Sequence, residues 1–172
     1  MLIPYRPATM SIMRSKPRFI IIHDASCMYP EIEKVSIDSK LPQTFSSRLF
    51  NWIISGQSDL NYHYMVERVG QDYESFLGRP LDRLCIYKDI PDQINSRAIH
   101  IGMIGKYDKQ IPTPRFYLQI AYRIIIPNMH LFGIPYGNIY FHNDLSEKHK
   151  ECPGLFFKKS LFMSKLKSLP IR

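Results

Sequence analysis

The chain has 172 residues, enough for one domain with its own core and too few for two comfortable ones, and its 45% hydrophobic and 13% aromatic content fits a globular protein rather than a disordered one. Its net charge of +8 would attract nucleic acid, an anionic membrane or an anionic wall polymer, but no RNA-recognition or helix-turn-helix signature accompanies it, so nucleic acid is not expected. Three cysteines (Cys27, Cys85 and Cys152) cannot all pair within one chain, which argues for a reducing site of synthesis over a disulfide framework.

Residues 1–17 read as an irregular, proline-rich lead-in, with no uninterrupted apolar stretch of the kind a signal peptide needs. The first predicted strand covers about 18–23, a run apolar on both faces that ends at His23. Residues 24–43 are loop-like, and a helix is expected from Thr44 to about Ile54, with Phe45, Leu49, Trp52 and Ile53 on one stripe. Leu60 to Val69 alternates, with Tyr62, Tyr64 and Val66 on one face and His63, Met65 and Glu67 on the other. A turn at Gly70-Gln71-Asp72 and a return strand over Tyr73–Leu77 complete a hairpin. Residues 78–97 read as a long surface connection rimming a site, followed by a strand from Ala98 to Ile104.

Thr113-Pro114 is an N-cap followed by proline at the first helical position, so a helix is expected to about Phe132, stopped by Gly133 and kinked at Pro127. Phe116, Ile120, Ile124 and Leu131 share its expected buried side. Asn138 to His142 is the last predicted strand. Residues 155–168 form an amphipathic basic helix, with Lys158, Lys159, Lys165 and Lys167 between apolar positions. No apolar run approaches the roughly 18 residues of a transmembrane helix.

The chemistry gathers at strand ends. His142 closes one strand and His23 another, and Cys152 returns after a polar loop, just before the turn at Pro153-Gly154. A histidine and a cysteine at this spacing are usually a loop histidine and a buried thiol. Ligands in open α/β sheets collect at the carboxyl ends of strands, however. Two imidazoles and one thiolate are three zinc ligands, and three protein ligands leave a fourth position for water, the arrangement of a catalytic zinc.

Four segments, in order, resemble the zinc-dependent N-acetylmuramoyl-L-alanine amidases, the family shared by bacteriophage lysozyme-type amidases and peptidoglycan-recognition proteins. They are Ile20-Ile21-Ile22-His23; Asn61-Tyr62-His63-Tyr64 with Tyr73-Glu74 and Gly78-Arg79-Pro80; Asn95-Ser96-Arg97-Ala98-Ile99-His100-Ile101; and His142-Asn143-Asp144 through Lys150-Glu151-Cys152-Pro153-Gly154. The match runs from about residue 18 to 157. The resemblance implies one α/β domain over 18–172, a mixed central sheet flanked by helices, with a single zinc at one edge held by His23, His142 and Cys152. It implies hydrolysis of the amide between N-acetylmuramic acid and L-alanine of peptidoglycan, with Tyr62 and Lys150 assisting. The rival is a non-catalytic peptidoglycan-binding protein on the same fold, against which the cysteine speaks, since binding-only relatives typically lose it. The basic C-terminal helix is a candidate for attraction to anionic wall polymer. Action on the wall is expected, by a route the sequence does not specify. Two departures stand out: His100 where the family usually has glycine, and Gly102 where related cytoplasmic amidases place a glutamate.

Overall fold

A computed structural model describes residues 15–25, 61–69, 71–105 and 107–170. Cys27, the expected helix over 44–54 with Trp52, and most of the lead-in lie outside the described residues. Five strands form one mixed sheet: β1 (Phe19–Asp24), β2 (Tyr64–Val69), β3 (Asp72–Leu77), β4 (Ala98–Met103) and β5 (Ile139–Phe141), in the order β3-β2-β4-β1-β5. The hairpin β2–β3 is antiparallel and every other pairing is parallel. β1 lies between β4 and β5 and is buried along almost its whole length, as its unbroken isoleucine run requires.

The two faces of the sheet carry different layers. Ile20, Ile22, Ile99, Ile101, Met103 and Phe141 point to the helical side. The helical segment opens at α2 (Pro114–Ile120), where the Thr113 hydroxyl accepts the Phe116 amide at 3.2 Å. It passes through a π-helical turn (Ala121–Ile125) into α3 (Ile126–Phe132) and stops at Gly133, whose φ of 69° is the left-handed cap. Pro127 has no amide to give and its ring crowds the carbonyl four residues back; the wider turn lies immediately before it. That turn also shifts the buried stripe. Phe116, Ile120 and Ile124 face the core as expected, but the inserted residue passes the next buried place to Met129, and Leu131 is 69% exposed.

The C-terminal helix α5 (Lys159–Ser168) is shorter than the expected 155–168 and docks Phe162 and Leu166 on the same layer. Lys158 and Lys167 are exposed, whereas the Lys159 ammonium pairs with Asp144.

The other face is covered by a second apolar layer of Ile21, Ala25, Tyr62, Met65, Cys85, Tyr87, Ile90 and Ala98. Two expectations change here. Tyr62 does not share a face with Val66: β2 begins only at Tyr64, so strand alternation does not reach Tyr62, whose side chain joins Met65. The 78–97 connection is not merely superficial, because Cys85, Tyr87 and Ile90 are buried and the short helix α1 (Asp92–Asn95) carries it back to β4. Two asparagine side chains hold it down: Asn61 bonds the Ile86 carbonyl (2.8 Å) and amide (2.9 Å), and Asn95 donates to the Tyr87 carbonyl at 3.2 Å.

Candidate active site

The site forms where β1 and β5 end. His23 is the penultimate residue of β1, and His142 follows β5 directly, opening the one-turn helix α4 (His142–Leu145). Asp144 accepts the Phe141 amide at 2.8 Å and so steadies the strand-to-helix corner that carries His142. The loop bringing Cys152 back is tied to the same corner: the Asn143 amide donates to the Cys152 carbonyl at 3.2 Å, and its side chain donates to the Lys150 carbonyl at 2.9 Å. Ligand-capable atoms of His23, His142 and Cys152 thereby come within 4.8 Å of one another, all buried.

The remaining nitrogens of the two imidazoles are engaged. His142 Nε2 lies 2.9 Å from Asp89 Oδ2, and His23 Nε2 lies 2.9 Å from His100 Nδ1. Burial opposes ionisation of Asp89, but hydrogen bonds from Ser146 and His142, with the charge on His142, outweigh it and hold the carboxyl below its ordinary value. An ionised carboxylate can only accept, so His142 Nε2 carries a proton toward Asp89, and in the neutral ring Nδ1 is the nitrogen with the free lone pair. Both Nδ1 atoms, of His23 and His142, are buried without a hydrogen-bond partner among the described residues. Burial above all, reinforced by His100, His142 and His149, keeps His23 far below its ordinary pKa and therefore neutral. Two imidazoles with unpartnered Nδ1 atoms beside a cysteine sulfur fit a zinc ion, which takes nitrogen and thiolate ligands.

Tyr62 is fully buried and lies edge-on to the His23 ring at 5.5 Å. Its hydroxyl donates to the Asp24 carbonyl at 3.2 Å, while the Asp24 amide points at Cys152 Sγ, also at 3.2 Å. The backbone of one residue, Asp24, thus links the phenol to the thiol. The ring covers Gly102 so closely that a Cβ there would meet Tyr62 Cγ at 2.9 Å. The space beside Gly102 is filled by the Tyr62 ring.

Lys150 is exposed and its ammonium makes no ion pair among the described residues, although its backbone belongs to the cysteine loop. His130 is exposed; His149 stacks on His142 at 4.7 Å, beside Asp89. Sequence reasoning missed Asp89 and Tyr87. Tyr87 roofs the site, stacked 4.5 Å from His23 and 4.7 Å from His100, with its hydroxyl on the Asn61 carbonyl at 3.0 Å. Neither residue lies in a periodic segment, and 85–90 is held by the side chains of Asn61 and Asn95, which no local pattern announces.

The model of the N-acetylmuramoyl-L-alanine amidase family matches residues 13–155. The chain belongs to that family. A comparison with curated protein sequences found no match. Among solved structures, the N-acetylmuramoyl-L-alanine amidase endolysin LysCS from Clostridium intestinale is 21% identical, covering 96% of this chain and 93% of that one with a TM-score of 0.62. Drosophila PGRP-LB is 18% identical over 96% of this chain and 88% of its own, TM-score 0.56. AmpD is 18% identical over 88% and 85%, TM-score 0.59. These likenesses concern the fold; the family match carries the activity, and the chain is a peptidoglycan amidase. No helix among the described residues is long and apolar enough to cross a membrane.

Proposed function

We propose that this amidase is a zinc enzyme whose single ion is held by His23 Nδ1, His142 Nδ1 and Cys152 Sγ, and that it cleaves the amide between N-acetylmuramic acid and L-alanine. The observation that carries this reading is the convergence of the three buried ligand groups, with both imidazole Nδ1 atoms unpartnered among the described residues. Zinc bound there supplies a Lewis acid that polarises the scissile carbonyl and makes water acidic enough to attack near neutral pH.

The chain's own residues do the rest. Asp89 orients the His142 ring through Nε2. The Asp24 amide, 3.2 Å from Cys152 Sγ, stabilises negative charge on the sulfur. On exchanging its backbone acceptors at Asp24 and Ala25 for substrate, the Tyr62 phenol donates to the oxygen that gains charge during attack. Lys150, exposed beside the cysteine loop, supplies a cation to the same oxyanion once substrate covers it. Outside the cluster, Lys158 at the cap of the C-terminal helix and Lys165 and Lys167 within it attract anionic wall polymer, in keeping with the chain's +8 charge. A tyrosine mutant of Drosophila PGRP-LB, with a TM-score of 0.57 to this chain, is described in complex with tracheal cytotoxin, which supports a muropeptide ligand.

Metal analysis of the purified protein and its Cys152→Ala variant tests the assignment. About one zinc per wild-type chain, largely lost in the variant together with muropeptide hydrolysis, is the expected result. Wild-type zinc content in the variant would refute the ligand set. Zinc-loaded protein that binds muropeptide without turning it over would make the chain a binding protein on an amidase fold.

A further inference from the structure

His142 has a carboxylate behind it, but His23 has a second imidazole. His100 Nδ1 stands 2.9 Å from His23 Nε2, and both rings are fully buried and stacked 5.1 Å apart. A carboxylate can only accept, whereas an imidazole nitrogen can accept or donate. One proton therefore lies between His23 and His100, and its owner decides whether His23 can act as a ligand. If His100 Nδ1 donates, His23 carries its own proton on Nδ1, inside the cluster, and has no lone pair there. If His23 Nε2 donates, its Nδ1 is bare.

The backbone of His100 is fixed independently of that choice. Residue pairing across β1 and β4 sets Ile21 opposite His100 and His23 opposite Gly102, so the two histidines lie diagonally on one face of the sheet. The His100 amide donates to His63 Nδ1 at 2.9 Å, and the His63 amide donates to the His100 carbonyl at 2.9 Å. Because His63 Nδ1 accepts, its proton is on Nε2, which donates to the Arg83 carbonyl at 2.8 Å. Tyr87 lies flat on the His100 ring, with an interplanar angle of 8°. A ring so held offers Nδ1 to His23 in one orientation.

We infer that His100 is a positioning residue for the metal centre: its Nδ1 accepts the Nε2 proton of His23, fixing the tautomer in which His23 Nδ1 faces His142 and Cys152 as a lone pair. This rests on the ligand set proposed above. It gives the two imidazole ligands different supports, a carboxylate that dictates the tautomer of His142 and a neutral imidazole that must share it with His23.

The test pairs two substitutions with one spectroscopic measurement. His100→Phe keeps an aromatic ring under Tyr87 and removes the acceptor; His100→Asn keeps an acceptor near the position of Nδ1. Zinc affinity is measured by competition with a chromophoric chelator. The phenylalanine variant is expected to bind about 10–100-fold more weakly and the asparagine variant to stay close to wild type. Nitrogen-15 NMR of histidine-labelled, zinc-loaded wild-type protein should show His100 protonated on Nε2 and bare on Nδ1. Wild-type affinity in a folded His100→Phe variant overturns the proposal, as does a His100 proton on Nδ1, and the second result decides even if the phenylalanine variant does not fold. A wild-type chain that binds no zinc refutes the ligand set as well, so the two failures are distinguishable.

Discussion

His63 offers a quantitative test of how the second face of the sheet is held together. Burial drives its pKa down from 6.5 to about 4; the Arg83 carbonyl opposes the shift and the Arg79 charge adds to it. The unfolded chain takes up this proton near 6.5 and the folded chain only near 4, so between those values the unfolded state binds more protons and stability falls with falling pH. The gap is about 2.5 pH units at about 1.4 kcal/mol each, or roughly 3 kcal/mol for this one side chain, of which about 2 kcal/mol is gone by pH 4.5. His63→Asn removes the titrating group while leaving an oxygen close to where Nδ1 accepts the His100 amide. Urea unfolding of both proteins from pH 7 to 4.5 gives the result as a difference, from which groups not in contact with His63 drop out. The variant should be less stable at pH 7, and its deficit should shrink by about 2 kcal/mol on acidification. A deficit that stays constant across the range would mean that folded His63 takes up its proton as readily as the unfolded chain does, and the inferred hydrogen-bond directions around it would be wrong.

Gly102→Ala should cost about 1–3 kcal/mol, because its methyl group would meet the Tyr62 ring in a packed layer; an unchanged denaturation midpoint would show that the ring moves freely. Tyr62→Phe and Lys150→Ala should each leave zinc in place and reduce turnover by roughly a hundredfold, the size of one lost acid–base or oxyanion partner. If Tyr62 only anchors the Asp24 carbonyl, its variant will instead lose about 1 kcal/mol of stability and keep its rate. Replacing Lys158, Lys165 and Lys167 with glutamine should weaken binding to intact cell wall at low salt and flatten its salt dependence. Truncating the helix is the poorer experiment, since Phe162 and Leu166 belong to the core; an unchanged salt response in the triple variant would assign the attraction elsewhere.

Strands and helices with strong periodicity were legible in the amino-acid sequence. β1 announced itself by a continuous isoleucine run, the hairpin by alternation around a turn, and α2 by Thr113-Pro114. The convergence of His23, His142 and Cys152 was foreseeable because strand ends and a turn placed each of them, and the ordered family motifs joined the three. Errors arose where local pattern depends on an event just outside it. Leu131 leaves the core because regular helical spacing, even with a kink at Pro127, does not anticipate the π-helical turn, which changes the phase by one residue. Tyr62 was assigned to the wrong face because alternation was carried past the true start of β2. Asp89 meets His142 across 53 residues of chain, in a segment held by asparagine side chains instead of a ladder, and no local signal reports such a contact.

The strand order also has a consequence for how the molecule comes into being. β1 is made first, yet both of its neighbours are made much later: His23 meets His100 across 77 positions, and Asp24 meets Cys152 across 128. Non-local parallel pairings of this kind pay their loop-closure entropy before any contact rewards it, and they form slowly. During synthesis, therefore, the hairpin β2–β3 can close on its own while β1 waits without a partner. The cysteine loop emerges last of the three ligand-bearing segments. A chain stopped short of it would own all five strands of the sheet and still lack one of the three groups proposed to hold the metal.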